Sequence, residues 1–231
     1  MGSKESGMKK NIIITLAVLV SIAIWYAGVS AQTSLSQAFI TWKASNFYPA
    51  FFKGKALPSL TSPISVAVEA TKNGVLLDLS QTEILWEVDG KFIGGGRGVK
   101  QATFTATKGP GDAHFVHVSA FHGAETIETS LRIPTVQPIL VIDAPYRGGR
   151  GSGGTMTLRA VPFFFNLSSL SDLSFAWTVD GMRQSVGSDT ELTVSGSSNL
   201  APRTFSVSLE AQNQRNLQEI AATRAQFSIE P

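Results

Sequence analysis

The chain has 231 residues, a formal charge of +2, 43% hydrophobic and 16% charged residues, and no cysteine. This composition suits one or two globular domains with real cores and excludes a disordered chain. It also excludes disulfides, thiolate zinc sites and a cysteine nucleophile, and the small basic excess sits in Lys4, Lys9 and Lys10, so nothing downstream points to nucleic acid.

Lys9-Lys10 precede an apolar run from Ile12 to Ala27, and Gly28-Val29-Ser30-Ala31-Gln32 follows. Basic residues, an apolar stretch and small residues at Val29 and Ala31 are the three parts of a secretory signal. Residues 1–31 are therefore read as a signal peptide cleaved after Ala31, with an uncleaved membrane anchor as the alternative. Either way the lysines stay inside and the remaining chain lies outside the cytoplasm, at the cell surface, in the periplasm or secreted. Met1-Gly2-Ser3-Lys4-Glu5-Ser6 also fits a myristoylation pattern, but a signal starting at Met8 accounts for the region better.

Residues 32–61 form a lead-in rich in aromatics: Phe39, Trp42, Phe47, Tyr48, Phe51 and Phe52. A flexible tether would be Gly/Ser-rich. The lead-in is expected to add a strand to the first sandwich and pack across its end. The sharper reading displays Phe47, Tyr48, Phe51 and Phe52 as an aromatic loop for a partner or a membrane surface.

From here the chain is built twice. Trp86-Glu87-Val88-Asp89-Gly90 returns 91 residues later as Trp177-Thr178-Val179-Asp180-Gly181. Val116, Val118 and Ala120 stand at the same distances from Trp86 as Val207, Leu209 and Ala211 from Trp177. Both triplets alternate at period two, the mark of one strand face. A separation of this size is the length of one small β-sandwich. Each Asp-Gly closes a hairpin, because both positions tolerate positive φ. Trp86 and Trp177 then face inward beside Ile84 and Val88, and Phe175 and Val179, as core anchors.

The other expected strands of the first copy are Ile64–Ala70, Val75–Leu79, Ala102–Ala106, His114–Phe121 and Thr126–Ile133. In the second copy they are Thr155–Ala160, Phe163–Leu167, Glu191–Val194, Phe205–Ala211 and Ala222–Ile229, with one short helical turn near Asn213–Ile220. The boundary falls near Pro134–Pro138. Trp-x-Val-Asp-Gly in a short cysteine-free sandwich resembles the PKD (polycystic kidney disease) and related bacterial Ig-like domains. A further Gly-Asp-Gly of the PKD motif is missing, so the resemblance is to Ig-like, PKD-like modules. The lead-in around Ile40-Thr41-Trp42-Lys43, Tyr48-Pro49 and Lys53–Pro58 is similar to exported proteins of small-genome, candidate-phylum bacteria. The resemblance implies extracellular binding or spacing modules rather than catalysis.

Candidate chemistry is sparse. His114 and His117, three apart on a strand, point to opposite faces, and His114 and His122 share a face about 26 Å apart, so no metal site is expected. Gly94-Gly95-Gly96-Arg97-Gly98 follows a hairpin strand and opens no helix, so it reads as a flexible connection in which Arg97 meets an acidic partner. Tyr146–Gly154 reads as a long mobile loop, with Arg147 and Arg150 offered to an anionic glycan or envelope polymer. Calcium at Asp143 with Asp78 or Asp172 lacks the clustered ligand pattern. Gly-x-Ser-x-Gly and His-Glu-x-x-His are absent, and no cofactor is implied.

The expected fold is all-β: two tandem Ig-like (PKD-like) β-sandwiches after an N-terminal signal or transmembrane helix. Residues 62–137 form the first Ig-like domain and 138–231 the second. The expected function is a non-enzymatic, exported cell-envelope protein acting as a protein-interaction or spacer module. Its partner is an envelope protein or surface glycan, with membrane attachment through the N-terminal helix if uncleaved. The alternative is a carbohydrate-binding or adhesion protein using aromatic and arginine-glycine loops. The sequence predicts a mature N-terminus at Gln32. Edman or mass-spectrometric sequencing of the exported protein checks it, and any retained Lys9-Lys10 refutes cleavage.

Overall fold

A computed structural model describes residues 36–144, 146–151, 154–187, 189–195 and 202–230. The signal or anchor at 1–31 and the start of the lead-in lie outside the described residues. Among the described residues no helix is long and apolar enough to cross a membrane. The first copy contains β1 (Ser36–Ala44), β2 (Pro63–Lys72), β3 (Val75–Leu76), β4 (Glu83–Val88), β5 (Lys91–Arg97), β6 (Gln101–Thr105), β7 (Ala113–His122) and β8 (Glu125–Pro134). The second contains β9 (Ile139–Asp143), β10 (Arg150–Gly151), β11 (Thr155–Phe163), β12 (Leu173–Val179), β13 (Met182–Gly187), β14 (Glu191–Ser195), β15 (Arg203–Asn213) and β16 (Asn216–Ile229).

The two copies share one plan. In the first, β2 is flanked by β1 on one side and by β6 and the short β3 on the other, facing a sheet of order β5-β4-β7-β8. In the second, β9-β11-β14 faces β10-β16-β15-β12-β13. Apart from the short β3 and β10, which have no counterparts, the strand order is the same, and the architecture is all-β and Ig-like. Inner-face residues make two separate cores. Ile64, Val66, Ile84, Trp86, Val116 and Val118 fill the first, and Leu158, Phe165, Phe175, Trp177, Val207 and Leu209 the second.

Trp86 and Trp177 are fully buried. Each indole Nε1 donates to a backbone carbonyl beyond the next strand, Val99 at 3.0 Å and Asp189 at 3.1 Å. The hairpin that follows has positive φ at both central residues, Asp89 and Gly90, then Asp180 and Gly181. This is the primed turn that the right-handed strand twist requires. Both hairpins carry a register shift directly after the tryptophan.

Several local expectations are corrected. Val75–Leu79 shortens to the two-residue β3. Phe163–Leu167 is not a separate strand: β11 runs through to Phe163, and Phe164 turns away at φ 63°. Asn213–Ile220 is the hairpin between β15 and β16, not a helical turn. Gly94–Gly96 is not a flexible connection but lies inside β5, paired with β4. A Cβ on Gly95 would come within 2.5 Å of the Ile84 carbonyl oxygen, so that strand needs glycine to approach. β1 is the strand that the lead-in was expected to add to the first sandwich, and it pairs with β2; β9 was not among the runs read from the sequence.

Truncating either tryptophan empties the centre of its sandwich. Trp177→Ala is expected to cost about 3–5 kcal/mol, read by denaturant unfolding. Trp86→Phe keeps a ring but leaves the Val99 carbonyl unpaired, an expected loss of about 1–3 kcal/mol.

Candidate functional site

The lead-in divides into two parts. Residues 36–44 are β1, paired with β2 along their whole length, and Ile40 and Trp42 pack on the first core. Residues 45–62 form a long loop between β1 and β2, and this loop reaches the second sandwich. Phe47 N–H donates to the Phe165 carbonyl at 2.8 Å, and Phe164 N–H donates back to the Phe47 carbonyl at 2.7 Å. The far end of the loop is tied to the first sandwich and the inter-copy linker. Thr61 N–H donates to Ala106 O, and Val136 N–H donates to Pro58 O. Thr61 and Phe164, neither a glycine, both sit at left-handed φ, 70° and 63°. Such conformations cost about 1–3 kcal/mol each and persist only where surrounding contacts over-determine them.

A buried polar network fills the seam. Glu219, on β16, is only 5% exposed. Its Oε1 accepts from Ser59 Oγ at 2.7 Å and from Asn166 N–H at 2.9 Å, and its Oε2 accepts from Asn213 Nδ2 at 2.7 Å. Ser59 Oγ in turn accepts from Asn46 Nδ2 at 3.0 Å, whose second proton goes to the Phe164 carbonyl at 2.7 Å. Asn166 Nδ2 returns to the Thr61 carbonyl at 3.1 Å. A buried carboxylate is tolerated only when its lone pairs are matched. Here the donors come from both copies, so the docked arrangement is the one in which the carboxylate is buried with its lone pairs matched.

The aromatic residues split by role. Phe52 is half-buried and meets Tyr48, Phe163 and Phe164 edge-on, with centroids 6.0, 5.5 and 5.8 Å away. Phe47 is half-buried and supplies the backbone bridge. Only Tyr48 and Phe51 point outward, 41% and 67% exposed. The four residues therefore do not form one exposed row. On the same seam, Leu60, Pro110, Val136, Pro138 and Ile220 line a cleft of about 230 Å³ that Ser59 and Glu219 also border.

The remaining candidates are dispersed. Arg97 ends β5 and reaches Gln81 Oε1 at 3.5 Å. Arg150 is exposed on β10, which pairs in parallel with the end of β16. The tract around it is not one long loop, since a short 3₁₀ turn at Arg147–Gly149 leads directly into that bridge. The side chain of Arg147 lies outside what the structure describes. The histidines face three different environments. His117 lies between Ser130 and Ser119 hydroxyls, and His122 Nδ1 meets Thr82 Oγ1 at 2.8 Å. His114 is buried. Its Nε2 accepts from Thr107 and Lys108 N–H, which places its proton on Nδ1, 2.7 Å from Asp89 Oδ2. Asp78 is engaged by Ser80, and Asp172 by Arg215. Among the described residues no group of three His, Asp or Glu is close enough to hold a metal ion.

Asp89 does more than turn the chain. Its N–H donates to Phe115 O, and its Oδ1 accepts from Phe115 N–H at 3.0 Å. Asp180 makes the same two-way clasp with Ser206. The carboxylate therefore ties the hairpin to the neighbouring strand in both copies, a role the hairpin motif alone does not reveal. Burial pushes the Asp89 carboxyl up, but hydrogen bonds from Lys108, Phe115 N–H and His114 outweigh it and hold it at about 2, against an ordinary 3.8.

Two outcomes follow from this geometry. Because the folded-state value of Asp89 is depressed, its stabilisation is complete above about pH 4 and lost as pH falls toward about 2. Asp89→Asn is expected to cost about 1–2 kcal/mol at neutral pH and to flatten the acid limb between those values in pH-dependent denaturation. At the seam, Glu219→Ala strands the Ser59, Asn166 and Asn213 donors. A loss of about 2–4 kcal/mol in equilibrium unfolding is expected, against about 0.5 kcal/mol for a surface glutamate such as Glu69.

No protein-family model matches the chain, and no curated protein matches it. Solved structures similar to it include the fibronectin(III)-like modules of Clostridium thermocellum CbhA, at 15% identity over 82% of this chain and 93% of that one, with a TM-score of 0.27. The chicken interferon gamma receptor alpha chain is 11% identical over 77% of this chain and 96% of that one, with a TM-score of 0.32. Sidekick-1 immunoglobulin domains 1–4 are 14% identical over 85% and 70%, with a TM-score of 0.28. At these scores the fold assignment rests on the strand order of the chain itself.

Proposed function

We propose that the chain is a non-enzymatic, exported cell-envelope protein that acts as a protein-interaction or spacer module. The observation that carries this reading is the loop at residues 45–62. It closes the seam between two sandwiches through Glu219, Ser59 and Asn46, and it holds Tyr48 and Phe51 outward on the same backbone. A spacer needs a fixed relation between its modules, and a contact surface needs aromatic groups held by a rigid support. Export is supported by the Lys9-Lys10, apolar and small-residue succession ending at Ala31. The Ig-like, PKD-like motif and the cysteine-free composition fit a bacterial envelope. If the N-terminal helix is retained, it anchors the module to the membrane.

A second reading follows from the same exposure of Tyr48 and Phe51: the pair stacks on a surface glycan. The two readings separate by experiment. A photo-crosslinking residue at Phe51 in native envelopes is expected to yield one discrete protein adduct, lost when Tyr48→Ala is added. An adduct pattern no different from a probe at exposed Val75 contradicts the protein-partner reading. Glycan-array binding abolished by Tyr48→Ala and Phe51→Ala supports the second.

A further inference from the structure

The outer face of the second sandwich carries a trough of about 590 Å³, lined on its floor by Ala176, Ser208 and Ala222. The strand register explains it. Arg183 on β13 stands opposite Thr178 on β12, Thr178 opposite Ser208 on β15, and Ser208 opposite Arg224 on β16. One row of the sheet therefore reads long, short, short, long. Three strand spacings separate the two arginines, about 14 Å between their backbones. Arg224 is oriented by its Nε donating to Ser206 Oγ at 2.8 Å, and among the described residues its two terminal nitrogens have no hydrogen-bond partner. Neither arginine is within ion-pair distance of a carboxylate among the described residues. The adjoining row adds Glu210 between Ala176 and Ala222.

We infer that this trough binds a segment of an acidic polysaccharide, with carboxylate-bearing sugars of the uronic acid type lying along the strands. Two guanidinium forks on opposite walls match carboxylates presented by successive sugars. Thr178 and Ser208 offer hydroxyls that donate or accept, and Glu210, an acceptor only, takes hydrogen bonds from sugar hydroxyls. Glu210 is what distinguishes a glycan from an acidic peptide. A glutamate side chain has no hydroxyls to give it, whereas the hydroxyls of a uronic acid offset the repulsion between its own carboxylate and Glu210. The trough is open rather than enclosed, a shape that suits an extended chain laid across the sheet more than a single ion. The trough lies apart from the seam and does not rest on the module's role as a spacer.

Calorimetry and backbone-amide NMR with the whole exported chain test this. Oligogalacturonate is the probe, with a neutral maltooligosaccharide and an oligo-glutamate of equal length as controls. Oligogalacturonate is expected to bind and to shift the amides of β12, β13, β15 and β16, with both controls at least tenfold weaker. Arg183→Ala with Arg224→Ala is expected to weaken binding at least tenfold. The corresponding pair of lysine substitutions, which keeps charge but removes the forks, should weaken it severalfold. Circular dichroism on each variant verifies the fold, and the single variants serve if the double one does not fold. No binding at millimolar oligogalacturonate overturns the proposal. So does equal binding of oligo-glutamate, or full affinity in the lysine variant, since either outcome reduces the trough to non-specific charge attraction.

Discussion

One buried carboxylate sets the terms for the whole molecule. Glu219 is removed from water with no ion-pair partner among the described residues, and its three hydrogen-bond donors come from Ser59, Asn166 and Asn213. Ser59 belongs to the loop of the first sandwich, and the other two belong to the second. Separating the sandwiches would expose the carboxylate to water but would also strip the hydrogen bonds from Asn46 and Phe164, and unstack Phe52 from Phe163 and Phe164. Polar satisfaction and aromatic packing thus reinforce each other at one place. The left-handed residues Thr61 and Phe164 sit within this seam, where such backbone conformations can be held.

Within each sandwich a smaller version of the same logic recurs. A tryptophan fills the core and caps a carbonyl, the chain reverses at Asp-Gly, and the aspartate reaches across to the next strand. The copies differ in what supports that aspartate. Asp89 is backed by Lys108 and buried His114, whereas Asp180 is met by Arg203 at an exposed position. The duplicated motif is therefore structural, and the differences between copies accumulate at the surfaces: the seam loop in the first, the arginine-walled trough in the second.

Much of this was legible in the sequence because it is periodic or local. Alternation marks β2, β7, β11 and β15, and Asp-Gly marks the hairpins with a mechanism attached to two adjacent residues. What was not legible depends on partners distant along the chain. Ser59 and Glu219 are 160 positions apart, and neither residue type signals burial. The glycine run Gly94–Gly96 suggested flexibility by composition, yet it is a strand because Ile84 and Leu85 approach it closely. The aromatic lead-in was visible, but which of its rings face outward depends on Phe163 and Phe164, far downstream. The arginine trough arises from strand register, which places Arg183 and Arg224 in one row although nothing in their spacing pairs them.

The central claim is that the two sandwiches are locked by the seam. Double electron–electron resonance between spin labels at exposed Val75 on the first sandwich and exposed Met182 on the second measures it directly. The wild-type chain should give one narrow distance distribution, and Glu219→Ala combined with Phe52→Ala should broaden it while each sandwich stays folded. A broad distribution in the wild type, or a narrow one that survives both substitutions, would contradict the claim.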